Sequence, residues 1–504
     1  MKKLLIVALA LAIGIVLAVP AMAETDFKFE GNFYTWIYSL SNVTAIKADN
    51  DHNRTTNFMW MKAKFRFRAF VSKTLYFQGT FVGLDKPWGR NYQYPDQAAY
   101  LPITTGSPVY KMNQAVWREA TINWVSPVGF FRVGQYRTDP DPIMGKLGVS
   151  PVSADRYYMA SDRDVARIIY AGTFVPYHTL ILLYEKVYET DLAVTNTFTR
   201  GPQTLVYPQP NWDYDHDYDV YYMRNDFRWK GGEIRVVTEW DRFQTYGGTG
   251  AAGYEIVGNK YIFMADVLQE FGPFSIWLNT RDYFGALDYL SFPTGTQLPG
   301  AFNAPDGRHF RMFSYAGTVD YKQGPIQAGV GYYHTPGQQR NDDDTLDKDA
   351  DITTGLGTLD WFMPLYAAFG QYDGLLWNYT LDWSGFGIDA TRKFVASNTM
   401  DPFLQGLNLF LAWFDYQVLE NVWLHTSFGY MARDIQFANF SKYYGSEIDF
   451  GAAWTLVKGL SLEFHFGYFS PGDNIKDMYV FFHPGSDPDV APHIHTDLMF
   501  WLRF

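Results

Sequence analysis

His493-Ile494-His495-Thr496-Asp497-Leu498-Met499-Phe500-Trp501-Leu502-Arg503-Phe504 closes the chain. Ile494, Thr496, Leu498, Phe500, Leu502 and Phe504 share one parity. His493, His495, Asp497, Met499, Trp501 and Arg503 share the other. A strand sends alternate side chains to opposite faces, so one face here is apolar and the other wet. A soluble sheet would trim such a final strand with charge, and this one stops on a phenylalanine carboxylate.

The stretch resembles the closing strand of bacterial outer-membrane β-barrels, whose terminal aromatic is read by the barrel-insertion machinery. The other end agrees. Met1 to Ala23 has Lys2 and Lys3, an apolar run from Leu4 to Val19, and Pro20-Ala21-Met22-Ala23. That is the pattern of a signal peptide cleaved before Glu24, leaving residues 24–504 as a single barrel domain. No later apolar run has the length of a spanning helix. An exported chain in a membrane must then cross it as a closed barrel.

Composition sets further bounds. Without Lys2 and Lys3, 39 basic residues face 53 acidic ones, an excess that argues against nucleic acid as a partner. There is no cysteine, which excludes thiolate catalysis, Cys-ligated zinc and covalently attached c-type haem. Aromatic residues make up 19% of the chain, as expected of a barrel with two interfacial girdles.

From Asp26 onward, segments of period-2 character follow one another. Phe58 to Val71 is the clearest: Met59, Met61, Ala63, Phe65, Phe67 and Ala69 alternate with Lys62, Lys64, Arg66 and Arg68. Cations on one parity cannot face lipid, where each would cost roughly 2–4 kcal/mol near the midplane. Tight turns at Ser72-Lys73, Ser126 to Gly129, Val175 to Tyr177, Lys230 to Gly232, Phe271 to Pro273, Gln323 to Pro325, Leu419 to Asn421 and Val457 to Gly459 alternate with long connections. Those long stretches are 86–112, 138–162, 191–215, 246–256, 287–307 and 337–401.

The count predicts an all-β, antiparallel, up-and-down transmembrane barrel of eighteen strands, with sixteen or twenty as alternatives. Its candidate strands are 26–40, 57–71, 73–85, 113–126, 128–137, 163–174, 177–190, 216–230, 232–245, 257–271, 273–286, 308–322, 324–335, 402–418, 421–436, 443–457, 459–470 and 493–504. An even number returns both termini to one side, and 350–395 has room for a further hairpin. A propeller is disfavoured because no motif recurs at blade spacing.

The predicted pore lining is Lys62, Lys64, Arg66, Arg68, Arg132, Arg163, Arg167, Arg224, Arg228 and Arg235. Fixed cations in a narrow wall concentrate anions. Glu119, Asp226, Glu233, Glu239, Glu463 and Asp497 share the inward parities, so neutralisation is the competing expectation. The aromatic segment between Trp361 and Trp383 is the candidate for an inward-folding constriction, with an outer loop on the rim as its alternative.

No cofactor, metal or catalytic set is expected. His493, His495 and Asp497 lie too far apart along one strand to hold a single ion unaided. The Asp-rich runs at 342–351 and 213–217 lack a calcium-loop spacing and read as solvated loops, with divalent ions bridging to lipopolysaccharide as the alternative. Gly247 to Gly253 is not followed by the Lys-Ser/Thr of a phosphate loop. No Gly-x-Ser-x-Gly elbow marks a nucleophile.

Leu359 to Gly370 (LDWFMPLYAAFG), Tyr444 to Phe450, Leu460 to Phe469 and Ser470-Pro471-Gly472-Asp473 resemble corresponding segments of the alginate-export family of porins. The resemblance covers the final third. It implies an eighteen-stranded barrel with a cation-lined channel for an anionic polysaccharide. The chain departs from that family where Tyr366, Ala367 and Ala368 stand in place of a histidine, and no cargo residue is carried over.

The expected function is therefore passive passage of polar, anion-weighted, small or oligomeric solutes through the outer membrane. Its partners would be membrane lipid, lipopolysaccharide and the assembly machinery that reads Phe504. A barrel scaffold for a secretion or electron-conduit partner is the alternative, followed by an outer-membrane hydrolase.

Overall fold

The computed structural model describes residues 26–41, 46–47, 56–87, 116–136, 165–189, 198–200, 203–205, 217–247, 254–291, 308–337, 406–436, 439–482, 485 and 487–504. The leader, Arg163, the acidic runs at 342–351 and 213–216, and the aromatic segment 361–383 lie outside them.

Eighteen antiparallel strands join into one sheet closed on itself. In chain order they are β1 Asp26–Ser41, β2 Thr56–Phe70, β3 Leu75–Pro87, β4 Val116–Ser126, β5 Gly129–Tyr136 and β6 Val165–Val175. Then come β7 His178–Glu189, β8 Asp217–Trp229, β9 Gly232–Gly247, β10 Tyr254–Phe271, β11 Phe274–Ser291 and β12 Arg308–Gln323. The last six are β13 Ile326–Thr335, β14 Leu407–Leu419, β15 Val422–Ala432, β16 Tyr443–Val457, β17 Leu460–Pro471 and β18 His493–Arg503. Each strand pairs with its neighbours in sequence, and β18 pairs back onto β1 from Asn32↔Arg503 to Ser41↔Ile494. The expected eighteen-stranded up-and-down barrel is therefore what the chain forms.

Several expected boundaries move. The stretch 246–256 is shorter than a long loop, because β9 runs to Gly247 and β10 resumes at Tyr254. The stretch 287–307 loses its first residues to β11, which extends to Ser291. One helix, α1 (Asp473–Phe482), was not anticipated and fills part of the β17–β18 connection. It is anchored through Asn474, which accepts from Arg433 Nε at 3.1 Å and donates to the Ser441 carbonyl at 2.6 Å.

The short turns gather at one end. At Phe271-Gly272-Pro273 and Gln323-Gly324-Pro325 the glycines have φ of +62° and +58°, a region other residues enter at a cost. The two faces divide by chemistry. The exposed large apolar side chains, Phe263, Leu278, Val319, Val330, Phe410 and Phe428 among them, occupy the outer parity. Charged, amide and hydroxyl side chains occupy much of the inner one, beside buried apolar side chains such as Leu407, Leu409, Leu411, Trp413, Met499 and Trp501.

Outer aromatics collect in two tiers. Near the short turns, Trp124, Phe131 and Tyr170 adjoin in sequence across β4–β6, with ring centroids 5.4 and 5.0 Å apart. Toward the other end, Tyr184, Tyr221 and Trp240 do so across β7–β9 at 5.3 and 5.0 Å. On β10, Tyr261 belongs to one tier and Phe271 to the other. At about 3.3 Å per residue and a tilt of about 40°, the tiers stand roughly 25 Å apart, the height of the apolar band on membrane-spanning barrels.

Candidate functional site

The inner wall carries the candidate site, and its charges form two unlike arcs. On β2, Arg66 and Arg68 face inward with Lys64; Lys62 shares their parity, and its side chain lies outside the described residues. Arg66 Nε donates to Thr80 at 3.4 Å and stands 3.8 Å from Glu119. Arg68 donates to Gln78 at 2.7 Å and pairs with Glu30 at 3.3 Å. Glu119 is held in turn by Gln78 and Thr80, each donating at 2.6 Å. About a third of the Arg66 and Arg68 side chains still meets solvent, so these cations remain available to a solute.

Farther round the ring most of the predicted lining residues are committed to carboxylates. Arg132 donates to Asn123 at 2.7 Å and lies over the Tyr136 ring. Arg167 pairs with Glu185 at 2.7 Å, donates to the Tyr136 carbonyl and stacks on the same ring. Arg224 grips Asp226 with two nitrogens at 2.6 and 2.7 Å. Arg235 bridges Asp226, Glu233 and Asp266 at 3.3, 3.7 and 4.0 Å, and Arg228 reaches Glu233 at 3.3 Å. Lys260 closes on Asp241 at 2.5 Å.

Low-dielectric surroundings make this pairing obligatory, because an unpaired buried charge costs several kcal/mol. A solvated basic stripe stands on β2, and cross-strand neutralisation prevails from β6 to β10.

The remaining arc was not anticipated. Between its rims, no Lys or Arg occupies the inward parity of β13 to β18. Carboxylates and histidines stand there instead, among buried apolar side chains such as Leu409, Leu411 and Met431. One row crosses five strands in register: Asp415, His425, Gly451, His465 and Asp497. His425 Nδ1 meets Asp415 at 2.6 Å, and His465 Nδ1 meets Asp497 at 2.9 Å. Ser427 donates to Asp449 at 2.9 Å.

Asp497 is thus oriented by a histidine on β17, while His493 bonds the Ser41 carbonyl at 2.8 Å. Among the described residues no group of three His, Asp or Glu side chains is close enough to hold a metal ion. The row could not have been read from the sequence, because its members become neighbours only through register.

No family model matches the chain, and no curated protein shows significant similarity to it. Solved barrels are similar over nearly their whole length. OccAB1 of Acinetobacter baumannii is 12% identical, with 96% of this chain and 99% of that one covered at a TM-score of 0.49. OccK8 (OprE) of Pseudomonas aeruginosa is 12% identical over 95% and 98%, at 0.46. OmpT, an outer membrane protein of Vibrio cholerae, is 10% identical over 95% and 99%, at 0.41. Similarity of this degree assigns neither function nor family.

Proposed function

We propose that the protein is an outer-membrane channel for passive passage of polar solutes, with anions favoured along the β2 stripe. One observation carries the reading: a closed ring of eighteen strands has an aromatic-tiered apolar outside and an inside that gathers the charged and hydrogen-bonding side chains. Such a surface is stable where hydrocarbon surrounds it and water enters the ring. At this strand number the interior is wide enough to hold water.

Export by a cleaved leader, contact with lipid and lipopolysaccharide, and insertion through recognition of Phe504 complete the proposal. The resemblance of the final third to alginate-export porins supports the same transport class and leaves the cargo open.

The test is a reversal potential in a planar bilayer under unequal salt. Replacing Lys64, Arg66 and Arg68 by Glu is expected to lower the anion/cation permeability ratio. An unchanged ratio would remove the stripe from selectivity, and a silent bilayer would remove the channel.

A further inference from the structure

On the inner face of β12–β14, three buried acceptor oxygens without donors stand at neighbouring register positions. Asp320 lies opposite Gly329 in register, and Gly329 lies opposite Trp413; one step nearer the turns, Gln327 lies opposite Asp415. Asp320 Oδ2 accepts from Thr318 Oγ1 at 2.7 Å, and Asp415 Oδ1 meets His425. Their second oxygens, Asp320 Oδ1 and Asp415 Oδ2, have no hydrogen-bond partner, and neither has Gln327 Oε1. All three residues are at least nine-tenths buried, at 5%, 0% and 5% exposure for Asp320, Asp415 and Gln327.

Asp320 and Asp415 act on one another electrostatically. Over Gly329 the Trp413 indole fills the space a Cβ would take, and Asp320 Oδ1 stands 2.8 Å from the same point. A carboxylate oxygen and the indole ring therefore both border the notch a glycine leaves.

Buried acceptors without donors are costly, and a group that brings several donors and a positive charge relieves all of them together. We propose that Asp320, Gln327 and Asp415, with the indole of Trp413, form a station on the wall for the ammonium group of an organic solute. An R–NH3+ offers three donors to three oxygens, and the indole face adds a cation–π contact. The ring turns off Gly329 to admit it. Two carboxylates and one amide are too few to replace the coordination shell of a bare metal ion, and aromatic faces favour organic cations. β14 stands nine places from β5 in the ring of eighteen, so the station lies across the lumen from Arg132. The station rests on the channel reading and adds a solute class to it.

Among the described residues of these strands there is one rival occupant. Lys322 lies two residues beyond Asp320 on the same face, opposite Gln327, and it is exposed. Its own ammonium could serve the same oxygens.

The test uses the full barrel in detergent micelles with methylammonium and tetramethylammonium chloride as probes, read by saturation-transfer NMR. Transfer to methylammonium is expected in the unmodified protein and in Arg66→Gln and Lys322→Met. It should weaken about tenfold or more in Asp320→Asn and in Asp415→Asn, the loss typical of a charge-assisted bond. Trp413→Leu should weaken tetramethylammonium more than methylammonium.

Transfer unchanged in both Asn variants overturns the station. Transfer that appears only after Lys322→Met also overturns it, because the chain's own lysine then fills the site. Should the Asn variants not fold, the unmodified protein still decides: displacement of tetramethylammonium by methylammonium and not by sodium supports the station, and equal displacement by sodium overturns it. None of these readouts needs conduction, so a silent bilayer beside a positive signal would sink the channel and spare the station.

Discussion

The ring of Phe504 lies in the space a side chain at Gly31 would occupy: a Cβ there would collide with its Cζ, Cε1 and Cε2. The two backbones hold each other as well, with Gly31 N donating to the Phe504 carbonyl at 2.7 Å and Phe504 N returning a bond at 3.0 Å. Phe29 and Phe65 flank the ring at 6.2 Å each. The seam between first and last strands is thus a seated aromatic as well as a ladder.

Gly31→Val should therefore expel the terminal ring and loosen the seam. Overpacking of this kind costs about 1–3 kcal/mol. The expected result is a lower urea midpoint for the folded barrel and slower appearance of the heat-modifiable band. Gly83→Ala is the matched control, since nothing lies within 4 Å of a Cβ added there. Equal behaviour of the two variants would deny the ring its closing role.

A second prediction concerns Arg167, which is 2% exposed and held by Glu185. Glu185→Gln removes a paired carboxylate from beside a buried guanidinium and should cost about 3–5 kcal/mol of folding free energy. Arg167→Met combined with Glu185→Leu should recover most of that loss, because apolar residues of similar volume need no compensation. Denaturant titration of the two variants in parallel decides it. If the double variant is no better than the single, the pair does more than neutralise itself.

How much of this was legible beforehand follows from the range of the interactions. Strand existence and facing are local, and period-2 alternation fixed Lys64, Arg66 and Arg68 on the inner face and Phe65 and Phe67 on the outer. Partnership is not local. Arg235 meets Asp266 only because β9 and β10 pair in one register, and Asp320 and Asp415 approach only because β12 to β14 are consecutive in the sheet. Inward parity therefore predicted a cationic lining, while register turned much of it into ion pairs. Helix α1 left a weak mark, Asp473 in its first turn just after Pro471-Gly472, which a search for strands passes over.

The helix also yields a pH prediction. Lys476 Nζ meets Asp487 at 2.7 Å; this hydrogen bond holds the Asp487 carboxyl below its usual range and pushes the Lys476 amine up. A depressed carboxyl contributes stability above its unfolded range and loses it as pH falls through the lowered value. Both groups stand in solvent, where salt screens such pairs nearly to nothing. Asp487→Asn should leave the thermal midpoint at neutral pH, and its change on acidification, indistinguishable from the parent. A clear difference would mean that the connection carrying α1 is held by charge.

The last prediction asks which face meets hydrocarbon. Leu278 is 53% exposed on the outer side of β11, between the aromatic tiers, and Trp229 is 47% exposed at the short-turn end. Arginine near the midplane of a barrel's lipid face costs about 2–4 kcal/mol, falling to about 0–1 near the interface. Leu278→Arg should therefore destabilise the barrel in lipid vesicles far more than an arginine replacing Trp229, once the latter is corrected for the lost ring by Trp229→Ala. A depth-independent cost would place water against the outer face, and the aromatic tiers would then have no membrane to bracket.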